Sequence, residues 1–402
     1  MHASHTAITI LTLGVLLLIG LATGALSRRI RLPRVTILIL CGVLIGPSGL
    51  DLLPEPAQHW YTLVSNIALL LVGFLLGGKL SLSTIKDYGR PVLSISALVV
   101  VGVTLLVFLG LLLAGAPMPV ALVLAGIATA TDPAAVANVA EEVEAKGRFT
   151  DILLGIVAID DAWGLIAFSV LLAIASAVAG AGGAGGALAM GSWELLGAVA
   201  VGVLLGIPSA FITDRISKGE PMQAEALGFV LVCGGLALWL EVSYLLAAMV
   251  LGVWITNTCR HEKDAFETIR EMEWPILILF FILAGAQLDV DRLLDIGFLG
   301  AVFLVLRAAG RYLGALAGAG LAGTSADVRR WMGTALMPQA GVALGMALVA
   351  STHFPEHKDV ILPLVIGTTV VFELLGPVLT RAAIVRVGEA HQANDPDQTN
   401  TQ

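Results

Sequence analysis

Thirteen apolar runs, each about as long as a bilayer-crossing helix, follow one another between residues 6 and 383. Crossing about 30 Å of hydrocarbon takes roughly 20 apolar residues in helical form. The runs fall at 6–26, 34–52, 60–78, 91–114, 118–140, 150–178, 191–213, 221–239, 241–257, 273–289, 297–322, 329–351 and 359–383. Of the 402 residues 57% are hydrophobic and 13% are charged, against about 25% charged in a soluble domain. An apolar excess spread over the whole chain cannot be buried in one water-soluble core. The composition therefore excludes a soluble globular protein, a disordered chain and a nucleic-acid partner, and makes the lipid bilayer the surrounding medium. The 45 glycines suit closely packed membrane helices. Cys41, Cys233 and Cys259 are too scattered for a disulfide framework or a metal site. The fold class expected is an all-α polytopic membrane protein with about 13 transmembrane helices.

Basic residues give the orientation, because they stay on the cytoplasmic side. With the N-terminus outside, 18 of the 22 Lys and Arg residues fall in cytoplasmic segments. Arg292 and Lys358 fall outside, and Arg307 and Arg311 lie within a span. The leader MHASHTAIT carries no basic residue, so the first run reads as a retained span. The stretch AVAGAGGAGGALAMGS at 177–192 reads as a flexible external linker. It separates spans 1–6 from spans 8–13, with span 7 as a bridge. Equivalent spans of the two halves then face opposite ways, the arrangement of transporters built from inverted repeats.

Ionisable residues within a bilayer are costly and mark functional sites. The deep set is short: Asp132, Asp160, Asp161, Arg307, Arg311 and Glu373. With a helix rise of about 1.5 Å per residue, Asp132, Asp160 and Arg311 all arrive near the midplane. Span 5 reads ATATDPAAVANV, and Pro133 disfavours helical geometry at Asp132. Span 12 is interrupted at a comparable place by Pro338 and Gly341. Two broken helices at matching positions predict a midplane site, with positive half-helix ends that Asp132 could neutralise. Adjacent residues on a helix point about 100° apart, so only one of Asp160 and Asp161 can face a given cation. Arg307 and Arg311, four residues apart, are both candidate partners. A carboxyl on span 13, Glu373, reads first as hydrogen-bonded to a neighbouring helix.

These residues carry a family resemblance. ATDPAAVANV (130–139), AIDDAWGLI (158–166), GRYLG (310–314), LMPQAGVALGMAL (336–348), GPSGL (46–50) and FFILAGAQLD (280–289) are together similar to the cation:proton antiporter superfamily, in particular to bacterial sodium/proton antiporters with the Asp-Asp motif. The resemblance covers roughly residues 6–387. It implies two inverted repeats with crossed, broken helices. It also implies scaffold or dimerisation helices at 1–89 and 221–292, core helices at 90–178 and 293–387, a linker with span 7 at 179–220, and a disordered cytoplasmic tail at 388–402. Asp161 would bind the ion or the proton, and Asp160 would pair with the base of span 11 and share in holding Na+. Thr131 and Asp132 would shape the crossing and help coordinate the ion. The family's base on span 11 is often lysine, and here that position is Arg311. Arginine keeps its proton, so a scheme in which the base releases a proton does not transfer to this chain.

The implied activity is exchange of Na+ or Li+ for H+ by competition at a midplane aspartate, with alternating access of elevator type and no enzyme chemistry. No cofactor is expected beyond the transported ions. The implied setting is a homodimer in the cell inner membrane, with the N-terminus outside and the C-terminus cytoplasmic, serving pH homeostasis. A K+/H+ antiporter of the same fold is the nearest alternative. An intramembrane aspartyl protease would use Asp132 and Asp160 together, but its Gly-x-Gly-Asp motif is missing. A passive channel would pass far larger currents. No G-x-x-x-x-G-K-[ST] loop supports a primary pump.

Overall fold

The structure is a computed structural model that describes residues 5–30, 34–78, 80, 89–179, 183–213, 222–259, 262–287, 297–339 and 341–390. Among the described residues there are fifteen α-helices and one short 3-10 turn, with no strand. In chain order the helices are α1 (His5–Ile30), α2 (Arg34–Ile45), α3 (Glu55–Gly78), α4 (Gly89–Leu113), α5 (Met118–Ile127), α6 (Pro133–Glu142), α7 (Arg148–Ala179) and α8 (Gly183–Thr213). They continue as α9 (Met222–Trp239), α10 (Tyr244–Thr258), α11 (Glu262–Ala286), α12 (Gly297–Leu321), α13 (Ala326–Ala335), α14 (Gly341–His353) and α15 (Lys358–Val387). Thirteen apolar runs become fifteen helices because spans 5 and 12 are each split, into α5 and α6 and into α13 and α14. Six of the described helices are long and apolar enough to cross a membrane by length and composition alone.

Helices α1, α2 and α3 pack with α9, α10 and α11, while α4 to α7 pack with α12 to α15. Helix α8 lies against both α7 and α10. Lipid gives apolar side chains no reason to leave it, so membrane helices associate by close backbone approach at small residues. Gly310, Gly314 and Gly318 form such a stripe on α12. A Cβ added there would lie 2.7 Å from Val103 Cα, 2.7 Å from Val99 Cα and 2.6 Å from Ile95 Cα respectively, all on α4. Turned outward are Leu109, Leu204, Phe211, Val305 and Val378, each more than half exposed. Water would penalise such a surface, and hydrocarbon does not.

Two expectations change. The glycine-rich stretch at 177–192 is helical from Gly183, so α8 begins about two turns before the linker was expected to end. Alanines at 184, 187 and 189 favour helix enough to offset the glycines. The tail does not leave the domain at 388. Glu389 turns back onto the start of α7, where its carboxylate accepts from Phe149 N, Thr150 N and Thr150 Oγ1, each at 2.8 Å. These are the free donors of a helix N-terminus, and an anion is the natural cap. Residues 391–402 lie outside the described residues.

Candidate functional site

Breaking a helix in a membrane leaves carbonyls and amides that water cannot reach. Span 5 loses its helix after Ala128 and resumes at Pro133, whose missing N–H costs nothing at a first helical position. Asp132 is the N-cap of α6: its backbone is extended (φ −121°, ψ 91°) and its Oδ1 accepts from Ala135 N at 2.9 Å. Its negative charge sits where the half-helix dipole is positive. Span 12 is open between Leu336 and Gly341, with Pro338 and the buried Gln339 inside the gap.

The carbonyl ends of the two half-helices are met by arginines from α12. Both guanidiniums are wholly buried. Arg307 donates to Ala128 O (3.1 Å) and Ala130 O (2.8 Å) from the first gap, and to Met337 O (3.0 Å) from the second. It lies 4.1 Å over the Phe372 ring of α15. Arg311 donates to Thr129 O (2.5 Å) and Ala130 O (2.7 Å), and its Nη1 stands 3.3 Å from Asp160 Oδ2. One planar cation with five donors can serve several carbonyls at once, which an ammonium cannot do in fixed geometry. Positive charge at the carbonyl ends of α5 and α13, with a carboxylate at the amide end of α6, complements each broken dipole.

Asp160, on α7, is wholly buried and paired with Arg311. Arg307 is not in hydrogen-bonding contact with Asp160 among the described residues; it joins the two gaps instead. Thr131, also wholly buried, is a hydrogen-bonding neighbour of Asp160. Helix α7 comes close to the first gap at Gly164, where a Cβ would lie 2.9 Å from Thr129 Oγ1. The second gap is backed by α15: a Cβ on Gly376 would lie 2.5 Å from Pro338 Cα, and Thr380 Oγ1 donates to Ala335 O at 2.9 Å. Gly341 opens α14 against the Phe281 ring. Asp161 continues the backbone of α7, and its side chain lies outside the described residues.

A cavity of about 770 Å³ runs between α2, α3 and α11 on one side and α6, α14 and α15 on the other. Glu142, Arg270 and Asn138 on its lining are exposed, Asp132 is half-buried, and Glu373 is buried. Asp132 is half-buried and reached by the cavity, whereas Asp160 is sealed behind the first gap.

The family described as sodium/hydrogen exchanger, transmembrane, matches residues 14–384, a range that holds both gaps and both buried arginines. This chain belongs to that family. Among individual exchangers and their kin, it is 27% identical over 283 residues to the ammonium/H+ antiporter subunit AmhT of Alkalihalophilus pseudofirmus, covering 67% of this chain and 68% of AmhT. It is 24% identical to the Na+/H+ antiporter NhaG of Bacillus atrophaeus over 50% of this chain and 39% of NhaG. It is 27% identical to the glutathione-regulated potassium-efflux system protein KefC of Salmonella typhi over 90% of this chain and 58% of KefC. The chain thus spans less than two thirds of the length of NhaG and KefC. The fold is that of the sodium proton antiporter MjNhaP1 of Methanocaldococcus jannaschii, with a TM-score of 0.70, 19% identity, and 94% and 95% of the two chains covered.

Gln339 and the bridging role of Arg307 escaped the sequence reading. Gln339 lies in the second gap with neither amide atom in a hydrogen bond among the described residues; its place between Pro338 and Gly341 was the available signal. The clamp by Arg307 needs two gaps some 200 residues apart to be neighbours, which no local pattern encodes.

Proposed function

We propose that this exchanger is a secondary active antiporter that trades Na+, or Li+, for H+ at the midplane carboxylates. The observation that supports it most is the pair of helix gaps clamped by Arg307 and Arg311, beside a cavity that reaches Asp132. In this reading Asp161 is the carboxylate claimed alternately by cation and proton. Asp160 is held by Arg311 and lends charge to the same site, and Thr131 and the gap carbonyls offer oxygen ligands to a hard cation. The proton travels on a carboxyl group, because both buried bases are arginines. The helices from α4 to α7 and from α12 to α15 form the moving core, which slides against α1 to α3 and α9 to α11 as an elevator in a homodimer. The cavity opens to the cytoplasm, the side on which the basic loops fall, in the inner membrane of the cell.

A second reading keeps the mechanism and changes the ion to K+, a choice favoured by the long similarity to KefC. The test is reconstitution in liposomes with an imposed pH gradient, adding Na+, Li+ and K+ in turn. Dissipation by Na+ and Li+ but not K+ supports the first reading, and dissipation by K+ alone supports the second. The Asp161→Asn variant is expected to exchange nothing. Normal cation-driven proton flux in that variant would end the assignment of Asp161.

A further inference from the structure

Glu373 sits in an apolar stretch of α15, next to Phe372, and is 3% exposed. Its carboxylate takes a hydrogen bond from the Thr36 hydroxyl, and the Thr36 backbone amide lies alongside. Thr36 is the third residue of α2, whose first amides have no partner within the helix. The acid of one helix group is therefore the anionic cap of a helix in the other group. The contact lies at the wall of the cavity, so water can bring a proton to it.

We propose that Glu373 is a positioning residue of the transport cycle. Ionised, it docks α15 on the N-terminus of α2 and holds the cavity open; on taking a proton it lets α2 go, and the core is free to move. The inference rests on the elevator reading above, because it assigns α2 to the fixed part and α15 to the moving part. The sign follows from charge. An ionised carboxylate makes stronger hydrogen bonds and is favoured by the positive end of the α2 dipole, and both gains vanish on protonation. The charged groups facing this contact are mixed. Arg34 on α2 and Arg270 on α11 favour the ionised form, and Asp132 and Glu142 on α6 and Glu273 on α11 oppose it. Arg307 of α12 stands behind the adjacent Phe372. The walls from α3 and α14 are apolar. The docked state should therefore be strong at high pH on the cavity side and weak at low pH.

The test is amide hydrogen exchange at residues 35–37, corrected for intrinsic rate and referred to α4, in the full-length protein in detergent. In the parent, protection is expected to fall about tenfold on going from alkaline to acid pH, a coupling of ordinary size. In Glu373→Gln it should be low at every pH. Thr36→Ser should match the parent, and Thr36→Val should lose the pH dependence. Because α2 is a positioning element, Glu373→Gln should still exchange cations in liposomes, with the fall in rate on one side of its pH profile flattened. Parental protection in Glu373→Gln, or a pH dependence that survives in it, overturns the proposal. Should Glu373→Gln fail to fold, the threonine pair decides: equal behaviour of Thr36→Val and Thr36→Ser overturns it. The exchange readout needs no transport, so an inactive parent would defeat the antiporter reading while leaving this contact to stand or fall separately.

Discussion

Replacing Arg307 by alanine removes a cation that three well-formed hydrogen bonds hold between the two helix gaps. Ala130 O keeps Arg311 as a donor, so Ala128 O and Met337 O are the carbonyls that lose their charged partner. A hydrogen bond to a charged group contributes about 1.5–3 kcal/mol, and a buried carbonyl left alone loses most of that. The stacking on Phe372 adds about 1 kcal/mol. Water entering the vacated space offsets part of the sum, so the net cost is about 3–5 kcal/mol. For a chain of this length each kcal/mol moves the melting temperature by about 1–2 °C, extrapolating from smaller domains. Arg307→Ala should therefore melt about 5 °C below the parent in detergent and exchange poorly in liposomes, because the two gaps are no longer tied. Arg307→Lys should recover less than half of the loss, since one ammonium cannot reach both gaps. An Arg307→Ala protein that melts within about 1 °C of the parent and exchanges at the parental rate would refute the clamp.

Gly314→Ala would press a methyl group to 2.5 Å from Leu98 O, a backbone atom that cannot yield, and should sharply lower the folded yield judged by size-exclusion chromatography; Gly320→Ala, which meets nothing within 4 Å, should behave as the parent. Asp160→Asn and Arg311→Met should each cost about 3–5 kcal/mol because a lone buried charge or dipole remains. The double variant should be more stable than the sum of the two by about 1–3 kcal/mol in a thermal-unfolding cycle, and simple additivity would argue against the pair. Glu389→Ala should cost about 2 kcal/mol and speed hydrogen exchange at Phe149 and Thr150, with Glu389→Gln in between, as expected for a charged cap.

The spans and the two breaks were legible because each is written locally, as a run of about 20 apolar residues or as a proline beside a polar residue. Pro133 and Pro338 remove donors wherever the chain goes, so the gaps needed no tertiary knowledge. The division of labour between Arg307 and Arg311 was not legible. Both lie on one face of α12, four residues apart, and only the positions of α7 and the gap carbonyls tell them apart. The start of α8 was misread for a different reason. Glycine enrichment signals a flexible link, but the alanines interleaved at 184, 187 and 189 favour helix. The contact between Thr36 and Glu373 joins positions 337 apart; the sequence offered only a misplaced acid, without the helix it serves.

The fastening of Glu389 to the first turn of α7 ties the residues that follow α15 to the very rod that carries Asp160. Tension passed back through Glu389 would be delivered to the aspartate helix, so this fastening offers a handle for steering transport from outside the bundle.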